Sequence, residues 1–320
     1  MKKLVAGTLL LGLATLSMAQ GWPSAKPIRL IVGYPPGGGI DFAARTVQVP
    51  LQEALKQQIV VDYKPGAGGM LAATELTRAA PDGYTLLLAN TGPFAIAPYL
   101  QRKMPYEPLK QFTYIGQISQ GSYIAVTRPD HPAKDLKDWV AWAKANAGKV
   151  NFASGGAGTS THLNGELMNQ ATGLDVTHVP YKGSAPAVQD LIGGQTQLLI
   201  DAGPVLLPQI KGGKLKALAV TGSRRDPQLP DVPTVGELGF AAMESVGFQG
   251  LVGPAGLPKE VVDKLAAELA KVLAQADVKA KVASTGSEVH SLGPVEFFSF
   301  VKGENEKWAR LIRERKLELD

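Results

Sequence analysis

Cysteine is absent from the 320 residues. Its absence excludes disulfides, thiolate catalysis, cysteine metal ligands and a lipid-modified cysteine. A chain of this size builds an adequate core without such cross-links. Histidine occurs only at positions 131, 162, 178 and 290, with no shared pattern. No HExxH, no His/Asp/Glu set at metal-ligand spacing and no GxSxG elbow is present, so neither metal nor catalytic residues are assigned. Beyond the first 19 residues no apolar run approaches the roughly 20 residues of a spanning helix. A strong charge excess is lacking too, with 33 Lys and Arg against 28 Asp and Glu. The basic residues are scattered, apart from RLIRERK (310–316) on a helix that also carries acids, and nucleic acid is not an expected partner. Charged content of 19% and apolar content of 45% are those of a globular chain.

The N-terminal segment, MKKLVAGTLLLGLATLSMA, has two lysines, an apolar run from Leu4 to about Leu16, and small residues at Ser17 and Ala19. This pattern reads as a secretory signal (1–19) cut between Ala19 and Gln20; the competing reading, a membrane anchor, needs a longer run. Losing Lys2 and Lys3 leaves 31 basic against 28 acidic residues. A soluble, exported protein is expected.

After Pro27, short β-branched or aliphatic runs read as strands at 28–33, 59–62, 84–89, 112–118, 123–127, 150–154, 176–180, 197–201 and 216–220, with SVGFQGLVG following at 245–253. Helical spacing falls between them at about 40–56, 70–80, 135–146, 160–171 and 184–192, and later at 258–273 and 294–316. This alternation predicts an α/β protein with mostly parallel sheets and helices on both faces. The order strand, Gly-rich turn, helix, strand appears in 28–89 and again in 150–201, without a sequence repeat. Two α/β lobes with a ligand between them account for it, because open α/β sheets bind at the carboxyl ends of their strands.

The candidate binding residues lie at those ends. In GYPPGGGID (33–41), Pro35, Pro36, Gly37, Gly38 and Gly39 surrender side chains just before a helix, which lets backbone N–H groups face an anion, and Tyr34 ahead of them is a further candidate. Asp41 caps that helix or touches ligand, both roles being open. In FASGGAGTSTHLNGEL (152–167), Ser154, Gly155, Gly158, Thr159, Ser160 and Thr161 supply converging donors. The loop lacks the lysine of a nucleotide P-loop, and neither loop fits GxGxxG, so no nucleotide cofactor is expected. His162 reads as a capped or surface histidine before a catalytic base. YKPGAGG (63–69) is a third such turn, with Lys64 at its edge. Asn90, Thr91, Tyr181 with the following Lys182-Gly183-Ser184, and Asp201 close later strands, where Asp201 either meets ligand or caps the next segment. Tyr34, Tyr63, Phe94 and Tyr181 line an aromatic pocket or pack elsewhere. An exported hydrolase using Ser160 with His162 or another distant base, and a ligand sensor for a membrane signalling partner, are the alternatives to a binding protein.

Together YPPGGGIDFAAR, PGAGGMLAATELTRAAPDGYTLLLAN, FASGGAGTSTHLNGELM, VPYKGSAPAVQDLIGGQ, GKLKALAV and LPDVPTVGELG resemble the Bug-type substrate-binding proteins of tripartite tricarboxylate transporters, in the same order over residues 26 to 315. The resemblance implies a periplasmic, two-lobed Venus-flytrap fold in which 20–122 plus 247–320 form one lobe and 123–246 the other. It implies a monomer that binds a small organic carboxylate and hands it to a large and a small integral-membrane subunit. The carboxylate is then held by backbone amides, hydroxyls and water from 34–39 and 154–161, and Asp201 matches a recurring acidic position near the cleft. Tyr63-Lys64 stand where the family usually has Asn-Arg, Ile200 where it has Phe, and Phe248 where a Trp is frequent.

Overall fold

A computed structural model describes residues 22–318; the expected signal segment and its cleavage point lie outside the described residues. In chain order the elements are β1 (Ile28–Val32), α1 (Gly39–Leu55), β2 (Ile59–Tyr63), α2 (Met70–Leu76), β3 (Thr85–Asn90), α3 (Ala97–Leu100) and β4 (Phe112–Thr127). Next come α4 (Leu136–Ala145), β5 (Asn151–Ser154), α5 (Ser160–Thr172), β6 (Thr177–Pro180), α6 (Ser184–Ile192), β7 (Leu198–Ala202), α7 (Gly203–Lys211) and β8 (Lys216–Val220). The chain ends with β9 (Val246–Pro254), α8 (Lys259–Ala274), α9 (Ala276–Ala283), β10 (Ser287–Val289) and α10 (Pro294–Arg315).

The strands run in the order β2-β1-β3-β9-β4-β7-β5-β6, with β8 and β10 also paired to β4. Between strands, parallel pairing is found in β2-β1-β3 and β6-β5-β7, and every pair made by β4 or β9 is antiparallel. Alternation along the strands divides the core. Ile28, Leu30, Leu86 and Leu88 face the cluster containing α1 and α8 residues, while Ile31, Leu87 and Ala89 face the one containing α2 and α10 residues. The same split recurs beyond β4, with Phe152, Leu198 and Ile200 on one side and Ala153 and Leu199 on the other. Both faces are buried, which is why these strands read as unbroken aliphatic runs.

The expected strands at 112–118 and 123–127 are one strand of 16 residues. The polar SQGS between them does not break it, because Ser119, Gly121 and Ser122 stay in register with Gln249, Gly247 and Val246 of β9. From Tyr123 onward the partners change to β7 and β8. β4 therefore belongs to both halves of the sheet. Among the described residues no helix is long and apolar enough to cross a membrane.

Candidate functional site

The carboxyl ends of β1, β3, β5, β6 and β7 open onto a shared cavity of about 430 Å³. Its wall carries the N-termini of α1, α5, α6 and α7, and is closed by Ser119, Gly121, Ser122 and Tyr123 of β4, Gly247–Gln249 of β9, and the turn around Thr285. Helix N-termini present unpaired amides and the positive end of the peptide dipoles, so their convergence favours an anion. This placement explains the polar break in β4: there the strand faces the cavity, and small hydroxyl or glycine positions replace core aliphatics.

The α1 turn is nearly bare. Tyr34, Pro35, Pro36, Gly37, Gly38 and Gly39 all line the cavity. Gly37 has φ +90°, a conformation that disfavours any residue with a Cβ. Gly38 caps α1 with extended backbone and no side-chain hydrogen bond, and a Cβ there would meet nothing within 4 Å. Asp41 does not reach the cavity. Its Oδ2 accepts from the Gly37 N–H at 2.8 Å, and its Oδ1 accepts from Arg45 Nε at 2.8 Å and Tyr63 Oη at 2.5 Å. Burial pushes this carboxyl up, but the Tyr63 hydroxyl, the Gly37 amide and Arg45 together hold it below the usual range. Asp41 takes the structural role, holding the turn. Tyr63 is part of that brace.

The α5 turn is densely bonded. Gly155, Thr159, Ser160 and Thr161 line the cavity. The Thr159 hydroxyl donates to Gly156 O at 2.6 Å and lies 2.9 Å from the Thr161 hydroxyl, which accepts from the Gly155 N–H at 2.8 Å. Ser154 and Gly158 are turned inward. Ser154 Oγ lies 2.6 Å from His178 Nε2, and the Gly158 N–H donates to His162 Nδ1 at 3.2 Å. The two imidazoles stack with centroids 3.9 Å apart, and His178 stacks in turn on Phe152. Burial lowers both, His178 to about 4 and His162, with His178 beside it, to about 3. These neutral rings support the turn from below. Because His162 Nδ1 is committed to Gly158, it is not aimed at Ser160, and no Ser160–His162 pair forms.

Asn90 and Thr91 also line the cavity. The Tyr34 hydroxyl donates to Gly68 O at 2.7 Å and accepts from Asn90 Nδ2 at 3.1 Å. Burial pushes this phenol up to about 12, the Asn90 contact opposing. Tyr181 leaves the cavity to donate to Asp190 Oδ2 at 2.8 Å, while the adjoining Lys182, Gly183 and Ser184 line it. Phe94 is fully buried in the core, so no aromatic pocket forms from the four rings considered. Asp201 lines the cavity at 3% exposure. Ser119, Gly121, Ser122, Tyr123, Gly247, Gln249, Pro204 and Thr285 also line the cavity and were not expected from the sequence; the polar and glycine interruptions SQGS and GFQG inside apolar strands were the available signal. Among the described residues no group of three His, Cys, Asp or Glu is placed to hold a metal ion.

Residues 43–317 match the family described as tripartite tricarboxylate transporter family receptor. Protein BugT of Bordetella pertussis is 34% identical, the match covering 95% of this chain and 93% of BugT. The solved structure of the periplasmic binding protein BugD has a TM-score of 0.85 at 35% identity, covering 92% of this chain and 99% of that one. MatC (Rpa3494) from Rhodopseudomonas palustris with bound malate gives 0.85 at 32%, covering 90% and 99%. R. palustris Rpa4515 with adipate gives 0.88 at 29%, covering 93% and 99%. The fold is that of periplasmic binding proteins, and this family and these neighbours are solute-binding proteins. With its match running through nearly all of the α/β architecture that surrounds the cavity, the chain belongs to the tripartite tricarboxylate transporter receptor family.

Proposed function

We propose that the protein captures a small organic carboxylate in the periplasm and delivers it, as a monomer, to the large and small membrane subunits of a tripartite tricarboxylate-type transporter. The lobes are 20–122 with 247–320, and 123–246, and the ligand sits between them. In support, β4 exchanges its partner strands between Ser122 and Tyr123, and the cavity draws its wall from both sides of that point. The single observation that carries the reading is the convergence of the α1 and α5 N-termini on one cavity with few full charges. The ligand-binding set comprises Tyr34 to Gly39, Asn90, Thr91, Gly155, Thr159 to Thr161 and Asp201.

Hydrogen bonds to a charged group contribute about 1.5–3 kcal/mol each, and a helix N-terminus about 0.3–1 kcal/mol. A few such contacts, offset by desolvation and closure, suffice for roughly micromolar binding, about 8 kcal/mol. Bound malate and adipate in two neighbours favour a carboxylate over other anions. A thermal-shift and calorimetric screen of mono-, di- and tricarboxylates, acidic amino acids and aromatic acids tests the reading. At least one acid is expected to raise the melting temperature. If none does at saturation, the carboxylate reading fails.

A further inference from the structure

The donor turns account for one end of a ligand, and the opposite chemistry stands elsewhere on the same wall. Asp201 ends β7 and is 3% exposed. Its Oδ1 accepts from the Ala202 N–H at 2.7 Å, whereas Oδ2 has no partner at hydrogen-bonding distance and angle, the Ser184 hydroxyl lying near the carboxyl without completing a bond to it. No ion pair to it occurs among the described residues. A carboxylate withdrawn from water with an acceptor unfilled is strongly unfavourable, and a donor brought by the ligand removes that penalty. We propose that Asp201 is a specificity-determining residue of this cavity, accepting a hydrogen bond from a hydroxyl or ammonium group on the bound carboxylate. This inference rests on the carboxylate-binding reading above.

The electrostatics agree. Burial pushes the Asp201 carboxyl up to about 6, while the nearby Ser184 hydroxyl and the Ala202 amide oppose the shift. At neutral pH the group remains mostly ionised, and so accepts and does not donate. A second carboxylate placed against it is repelled. The ligand is therefore polarised, with its acid group at the glycine-rich turns and a protic donor at Asp201. That chemistry selects hydroxy- or amino-carboxylates over their plain parents.

Calorimetry at pH 7.5 on matched sets provides the test: succinate, malate and aspartate; glutarate, 2-hydroxyglutarate and glutamate; benzoate, 4-hydroxybenzoate and 4-aminobenzoate. The expected result is a hydroxy or amino congener bound at least about tenfold tighter than its parent. In Asp201→Asn, which keeps an oxygen for the Ala202 amide, that ratio falls to near one. The hydroxy and amino arms identify which donor is read. Acids that bind without such a preference, or a preference that survives Asp201→Asn, overturn the inference and leave carboxylate binding standing. Tightest binding by a plain dicarboxylate, strengthening with proton uptake as pH falls through 6, also overturns it, since Asp201 would then be donating. If no acid binds, the underlying reading itself falls. Should Asp201→Asn not fold, the wild-type ratios alone decide.

Discussion

The two glycine-rich turns that enter α1 and α5 perform the same geometric task by different constructions. The α1 turn has no capping side chain and is braced from behind, with Asp41 reaching back to the Gly37 amide and outward to Arg45 and Tyr63. Its cavity face is left to backbone. The α5 turn is filled with hydroxyls that bond one another and is floored by the stacked pair His162 and His178. A turn can therefore be preorganised either by emptying its face and holding its back, or by knitting the face itself. The first leaves affinity and stability separable, whereas the second ties them together.

The largest expected effect concerns the floor of the α5 turn. The folded-state values of about 4 for His178 and about 3 for His162 lie below the ordinary 6.5. As pH falls below 6.5 the unfolded chain takes up protons that the native pair refuses, so stability is lost progressively down to about pH 4 and then 3. Each unit of separation is worth at most about 1.4 kcal/mol, less for the partly exposed His178, so the loss is on the order of a few kcal/mol. His178→Phe keeps a ring against Phe152 and removes one of the two sites, so its urea midpoint should fall less steeply between pH 7 and 4.5 than that of the wild type. An unchanged slope would show that the pair does not govern acid sensitivity.

The next effect belongs to the bare turn. Gly38→Val places a branched side chain where the fold leaves open space and the backbone is already extended. Carboxylate affinity is expected to fall about tenfold or more through lost amide contacts, with the melting temperature shifted by less than about 2 °C. Equal losses of affinity and stability would erase the distinction between the two turns. The smallest effect is Thr159→Ala, which removes the α5 cap that receives the His162 N–H and should cost about 1 kcal/mol in denaturant unfolding. Because this hydroxyl also bonds within the turn, affinity should decline with it. A stability loss with full affinity would mean that the hydroxyl mesh does not shape the cavity.

Which parts of this were visible in the residues follows from burial. Strands such as LLLAN and LLIDA declared themselves because both faces are packed, and α8 because one stripe is. Helix α7 stayed hidden behind Gly203-Pro204 and Pro208, residues that look like breakers, yet Pro204 sits in the first turn where its missing N–H costs nothing. Gly203 is required there, since a Cβ would lie 2.0 Å from Thr285 O. Helix α9 is separated from α8 by the single extended residue Gln275, too brief an interruption to read. At the cavity the turns were legible from their glycines. The inward turn of Ser154 and Gly158 and the departure of Tyr181 from the cavity were not, because they depend on His178, His162 and Asp190, which only the fold brings near. The contribution of the crossing strands was likewise hidden, since polarity in mid-strand normally signals a break.

The insertion of β9 between β3 and β4 has a consequence for how the chain matures. Ile28, Leu30 and Leu86 share their hydrophobic cluster with Leu251, Leu265 and Leu269. The first quarter of the polypeptide thus waits for residues made some two hundred positions later before its interior is sealed. Each of the four hydrophobic clusters takes members from the final third of the chain, so none is complete until that part has been made.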